Sequence, residues 1–147
     1  DWAGESVITQ GQTAIFKANC LSGLENFTGT SPYVYKIALY TANATLNSTT
    51  LAYTSDNEIS GGGYTAGGKT LTPIAPAYDA TANIAYISFV NVVWTSASFT
   101  CRGALIYNST TGAAVAVLDF GNDKTANNTF TITFPTDNAE NAIIRFA

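Results

Sequence analysis

Two apolar runs joined by a short polar cluster constrain this chain more than any other feature. SFTCRGALIYN (residues 98–108) and AAVAVLDF (113–120) flank the turn cluster Asn108-Ser-Thr-Thr-Gly112. Runs of this kind bounded by turn residues pair as an antiparallel hairpin. Composition carries the same message along the rest of the 147 residues. Only 11% are charged against 46% apolar, and the helix-surface residues Glu, Lys, Arg and Leu are scarce. Thr, Val, Ile, Tyr and Phe take their place, and these fit pleated sheets. One domain of this length buries a real core.

Further β runs follow the same pattern. In YVYKIALYTA (33–42), Val34, Lys36, Ala38 and Tyr40 share one face, and Tyr35, Ile37 and Leu39 the other. TTLAYT (49–54), NIAYISFVNVVWT (83–95), NTFTITF (128–134) and NAIIRFA (141–147) complete the set, with GNDKTANN (121–128) read as a loop. Phe16, Cys20, Leu24 and Phe27 recur at helical spacing, which predicts one helix over about 12–27, weakened by Gly23. Roughly seven or eight short strands and one helix predict a mainly β fold, an antiparallel β-sandwich or jelly-roll. Residues 13–147 form the single domain, and the polar residues 1–12 are expected to be a flexible N-terminal arm.

GYTAGGKT (63–70) matches the phosphate-loop pattern G-x-x-x-x-G-K-[ST], and VAVLD (115–119) imitates the strand that ends in a magnesium-binding aspartate. The context opposes a nucleotide site. A phosphate loop needs a buried strand before it and a helix after it. Here TSDNEISGG precedes, Pro73 and Pro76 follow, and Asp119 belongs to an antiparallel hairpin. The glycines 61–63, 67 and 68 are expected to supply positive φ in a long loop.

Other chemistry is thinly supported. The chain has no histidine, which removes imidazole-based catalysis and most zinc or copper sites. Asp56, Glu58 and Asp79 read as loop surface, and no carboxylate pair is placed across a cleft. No catalytic residue and no cofactor are expected. DFGNDKTANN (119–128) is rich in oxygen ligands, making Asp119, Asn122 and Asp123 calcium candidates without the spacing of a calcium loop. Tyr33, Tyr35, Tyr40, Tyr53, Tyr64, Trp2 and Trp94 would suit a sugar-stacking platform, but alternating aromatics more often fill a core. The Asn-x-Ser/Thr sequons at Asn26, Asn43, Asn47, Asn108 and Asn127 are expected by chance in such a chain. Cys20 and Cys101 sit in apolar surroundings and read as buried free thiols, with one disulfide as the alternative.

A net charge of −4 with six scattered Lys and Arg gives no basic stripe, so nucleic acid is not an expected partner. No run approaches the ~20 apolar residues of a membrane span. The chain contains no Met, which fits either a cleaved upstream segment or residues preceding Asp1.

Four stretches, TAIFKANCLSGLENFTGTSPYVYKIALYTANATL (13–46), NEISGGGYTAGGKTLT (57–72), VVWTSASFTCRGALIYNSTTGAAVAVLDFGNDKT (92–125) and FTITFPTDNAENAIIRFA (130–147), resemble a family of small virion structural proteins of tailed bacteriophages. The segments RGALIYNSTTG and GYTAGG carry the resemblance most distinctively. It implies a non-enzymatic structural component located in the virion without fixing which one, and a head decoration (cement) protein is the reading we favour. Its implied partners are the major capsid protein or other virion proteins, and a second or third copy of itself. The N-terminal arm, represented by Asp1, Trp2 and Gln12, would reach a neighbouring subunit. Alternatives are a tail, neck or fibre-attachment component, an extracellular filament or surface-layer subunit, and a glycan-binding adhesion module.

Overall fold

A computed structural model describes residues 7–147. Strand outweighs helix by 45% to 6%, so the fold is mainly β, with one short helix among the described residues. The expected hairpin forms its centre. β9 (Thr100–Asn108) and β10 (Ala114–Thr125) pair antiparallel through Leu105↔Val117 and Ala104↔Leu118. β3 (Tyr35–Tyr40) lies against the other side of β9, and two-residue strands close the edges: β2 (Gly11–Gln12) beyond β10 and β5 (Lys69–Thr70) beyond β3. The sheet order is therefore β2-β10-β9-β3-β5.

Both faces of this sheet are covered, which explains the nearly continuous apolar run in β9. Tyr35, Ile37, Leu39, Ala104 and Ile106 enter one core, while Ala38, Tyr40, Leu105 and Tyr107 enter another. The two faces of β3 divide as its alternation predicts. In β10 the register slips between Ala114 and Ala116, so neighbours Val115 and Ala116 serve the same core.

The larger core is covered by two small antiparallel sheets. One is β12 (Ile144–Phe146), β7 (Ile84–Ile87) and β6 (Ala77–Asp79); the other is β11 (Asn128–Ile132) with β8 (Val92–Ala97). They contribute Ile87, Trp94, Ile132 and Ile144. The smaller core is covered by β1 (Val7–Ile8) and β4 (Thr45–Leu46), the one parallel pair among the described strands. The result is a layered, sandwich-like arrangement.

Several boundaries differ from the sequence expectations. The helix α1 is Ala14–Leu21 rather than about 12–27. Thr13 caps it, its Oγ1 accepting from the Phe16 N–H at 3.2 Å, and Gly23 turns left-handed (φ 74°) two residues past its end. Phe27 still reaches the core, from a loop, and stacks on Tyr35 at 4.3 Å. The second half of the expected arm is part of the body: β1 and β2 pair with β4 and β10. NIAYISFVNVVWT is two strands, because around Ser88–Val90 the chain bonds instead to residues 72–74. TTLAYT contributes only an isolated bridge, Ala52↔Ala113, and β10 runs on through most of GNDKTANN. Among the described residues no helix is long and apolar enough to cross a membrane.

Candidate interaction surface

The phosphate-loop resemblance ends in the geometry. Lys69-Thr70 is β5, an edge strand antiparallel to β3 with Lys36 opposite Thr70, and no helix follows it. The glycines serve close packing. Gly68 (φ 81°) lies so near β3 that an added Cβ would stand 1.8 Å from the Ile37 carbonyl oxygen. At Gly62 (φ 63°) it would stand 2.0 Å from that of Ser98.

What ties this loop down is Glu58, which sequence reasoning placed on the loop surface. It is half-buried, and its carboxylate takes three hydrogen bonds: Tyr53 Oη on Oε1 at 2.5 Å, and Tyr64 Oη and the Gly67 N–H (2.8 Å) on Oε2. Tyr64 Oη also accepts the Leu39 N–H of β3 at 3.0 Å, and Tyr107 Oη donates to the Gly67 carbonyl at 2.6 Å. Burial, then the bond to Glu58, holds Tyr64 well above the ordinary phenol range, so it remains a donor. Burial and the Glu58 charge push Tyr107 up to about 12. A carboxylate with three fixed donors is a fastener.

The calcium candidates are differently employed. Asp119 Oδ1 accepts from Arg102 Nε at 3.0 Å and from the Gly121 N–H at 2.9 Å. The Gly121 amide first, and Arg102 after it, hold this carboxyl below the usual range. Asn122 and Asp123 lie exposed on the irregular end of β10, and no group of three acidic, Cys or His residues able to hold a metal occurs among the described residues. The aromatic platform is mostly core: Tyr35, Tyr40, Tyr64 and Trp94 are buried. Both cysteines are free thiols. Burial is the first cause raising each, Cys20 to about 11 and Cys101 to about 12. Gln12 belongs to β2, and its Nε2 donates to the Arg145 carbonyl of β12 at 3.1 Å. Asp1 and Trp2 lie outside the described residues.

The surface where α1 meets β12 is one of the open parts of the described molecule. Leu21 at the end of α1 is 92% exposed and Phe146 at the end of β12 is 42% exposed. Between them runs a groove of about 550 Å³, lined also by Gln12, Lys17, Cys20 and Arg145. It adjoins a cavity of about 110 Å³, sharing Cys20 and Phe146 with it. That cavity is walled by Phe16, Phe27 and Ile144, and by one acid, Glu25.

Glu25 follows the Gly23 turn that ends the helix, so the chain delivers it beside Tyr35 of β3 and Asn108 of β9. Its Oε1 accepts from Tyr35 Oη at 2.8 Å and Asn108 Nδ2 at 2.9 Å. Its Oε2 is buried without a hydrogen-bond partner. Burial raises this carboxyl, opposed in turn by the Asn108, Tyr35 and Asn19 side chains. The one hint of Glu25 in the sequence is an acid set in LSGLENF, between apolar residues that return to the helix face.

No protein-family model, curated protein or solved structure matches this chain.

Proposed function

We propose that this chain is a non-enzymatic structural component of a tailed-bacteriophage virion, a head decoration protein that binds across joints between capsid subunits. The resemblance of four stretches covering most of residues 13–147 carries the reading. The groove between α1 and β12 supports it, because it joins exposed apolar side chains to Lys17 and Arg145 on an otherwise sparsely charged surface. The body suits a clamp. Its central sheet is packed on both faces, and its long loop is fastened by Glu58, so little order need be created on docking. Such a protein strengthens a shell by adding buried interface where internal pressure separates subunits.

Cosedimentation with particles lacking the protein, separated into heads and tails, tests this. Saturable binding to heads at a fixed ratio to the major shell protein is the expected result. Binding to tails alone moves the protein to a tail, neck or fibre position. Binding to neither removes the virion reading.

A further inference from the structure

The side of the molecule where β10 gives way to β11 is built like a hairpin that does not close. Only Ala126 and Asn127 separate the two strands. Yet among the described residues β10 pairs with β9 and β2, β11 pairs with β8 alone, and no ladder joins β10 to β11. A groove of about 500 Å³ lies between them, with Phe120 and residues 122–125 on one wall and residues 130–133 on the other. Phe120 and Phe130, both packed against the larger core, meet at its base with ring centroids 6.2 Å apart.

Both walls carry backbone groups that the described strands leave unpaired. In an antiparallel pair every second residue turns its N–H and C=O away from the partner strand. No residue of β8 lines the groove, so on β11 it is this free side that faces it. On β10 the register jumps from Asp119↔Gly103 to Lys124↔Cys101, leaving residues 120–123 opposite Arg102 alone. Side chains stand in for a strand beside them: the Asp119 N–H donates to Gln10 Oε1, and the Gly121 N–H to Asp119 Oδ1. β11 also lacks the devices that keep natural edges from pairing. Residues 129–132 include no charge, no proline and no register shift, and Pro135 comes only after the strand has ended.

The groove's dimensions select the occupant. Strand spacing, sheet thickness and rise give one extended residue about 160 Å³, so about three residues of a single strand fill it. A folded sheet edge does not fit between two walls, because its strand brings a neighbour with it. That excludes the β11 of a second copy, which is joined to β8. We propose that this groove is a strand-addition site, taking an extended segment of a partner protein into hydrogen bonds with the free edge of β11. Side chains of the segment that face inward meet Phe120, Phe130 and Ile132 and are apolar; those between them lie outward beside Thr131 and Thr133. One acid and one base, Asp123 and Lys124, stand on the β10 wall, so the segment is uncharged. On the function proposed above, the segment belongs to a shell subunit. The chemistry of the site does not depend on that, and its test uses no particles, so its failure and a failure to bind heads are separate results.

The probe is a short capped peptide of alternating threonine and valine, titrated into the isotopically labelled full chain. The expected result is saturable binding that slows exchange of backbone amides within residues 129–133 and shifts the resonances of Phe120 and Asn122. The same peptide methylated on every peptide nitrogen keeps its side chains but has no backbone donor, and should bind at least tenfold more weakly. Thr131→Lys places on β11 the charge that guarded edges carry, and should weaken binding severalfold. Thr95→Lys, exposed on the neighbouring strand β8, should leave it unchanged, with matched melting curves establishing that both variants fold. No saturable binding at millimolar peptide, binding that tolerates full methylation, or protection confined to another part of the chain overturns the proposal.

Discussion

Glu58 and Glu25 are both half-buried acids beside tyrosines, and they are held in opposite ways. Glu58 has all its strong donors in place: two phenols and a backbone amide converge on it, Tyr64 and Gly67 from the loop it fastens and Tyr53 from the segment before it. Glu25 has two donors on one oxygen and none on the other, and it looks onto a cavity. A buried carboxylate with a complete set of hydrogen bonds stabilises the fold, whereas a half-satisfied one holds a desolvation cost that a ligand can relieve. The loop beside Glu58 is therefore a closed structural unit, and the end of α1 is an open one.

The largest effect that breaks this contrast is expected at the far end of the fastened loop. Gly68→Ala places a Cβ inside contact distance of the Ile37 carbonyl, at a positive φ that side chains resist. We expect a loss of about 4 kcal/mol, at the top of the usual range for point changes, read from urea unfolding. A variant within about 1 kcal/mol of wild type would mean that the loop yields and is not clamped to β3.

Glu58→Gln comes next. The amide keeps the shape but turns an NH2 toward donors, so at least one of Tyr53, Tyr64 and the Gly67 N–H loses its acceptor. The expected cost is about 2–3 kcal/mol. Faster exchange of the Gly67 and Leu39 amide hydrogens would locate the damage in the loop and its strand. Unchanged stability would remove Glu58 as the fastener. The same substitution at Glu25 should cost less than about 1 kcal/mol, since Oε2 has no partner to lose.

The contrast between the two acids was not visible in the sequence, and the reason is physical. Alternation and turn chemistry report local geometry, so they correctly paired β9 with β10 and divided β3 between two faces. They also foresaw that glycines 61–63, 67 and 68 take positive φ. Helix ends were less legible. Gly23 could equally interrupt or end a helix, and only the placement of Leu24 and Phe27 in a loop decided it. Glu58 looked like loop surface because its partners, Tyr53, Tyr64 and Gly67, are assembled by the path of the loop and not by any sequence period. Glu25 depends on Tyr35 and on Asn108, the latter 83 residues away. Residues gathered by topology leave no local spacing to read.

The smallest expected effect is also the one that discriminates the two acids most directly. Burial raises the folded-state Glu25 carboxyl above its ordinary 4.5. The folded protein then holds this proton more tightly than the unfolded chain. The contribution to stability is thus fully present below about 4.5, the ordinary carboxyl value, and is lost as pH rises through the raised folded value. Glu25→Gln cannot titrate, so its stability relative to wild type should improve between pH 4 and pH 7. Paired urea unfolding at several pH values reads this difference with every other titrating group common to both proteins. A difference that is flat with pH would mean that the bonds from Asn108 and Tyr35 balance burial, and one that falls as pH rises would mean that they outweigh it. Glu25 would then be a second fastener like Glu58, and the cavity beside it would have no unmet polar demand.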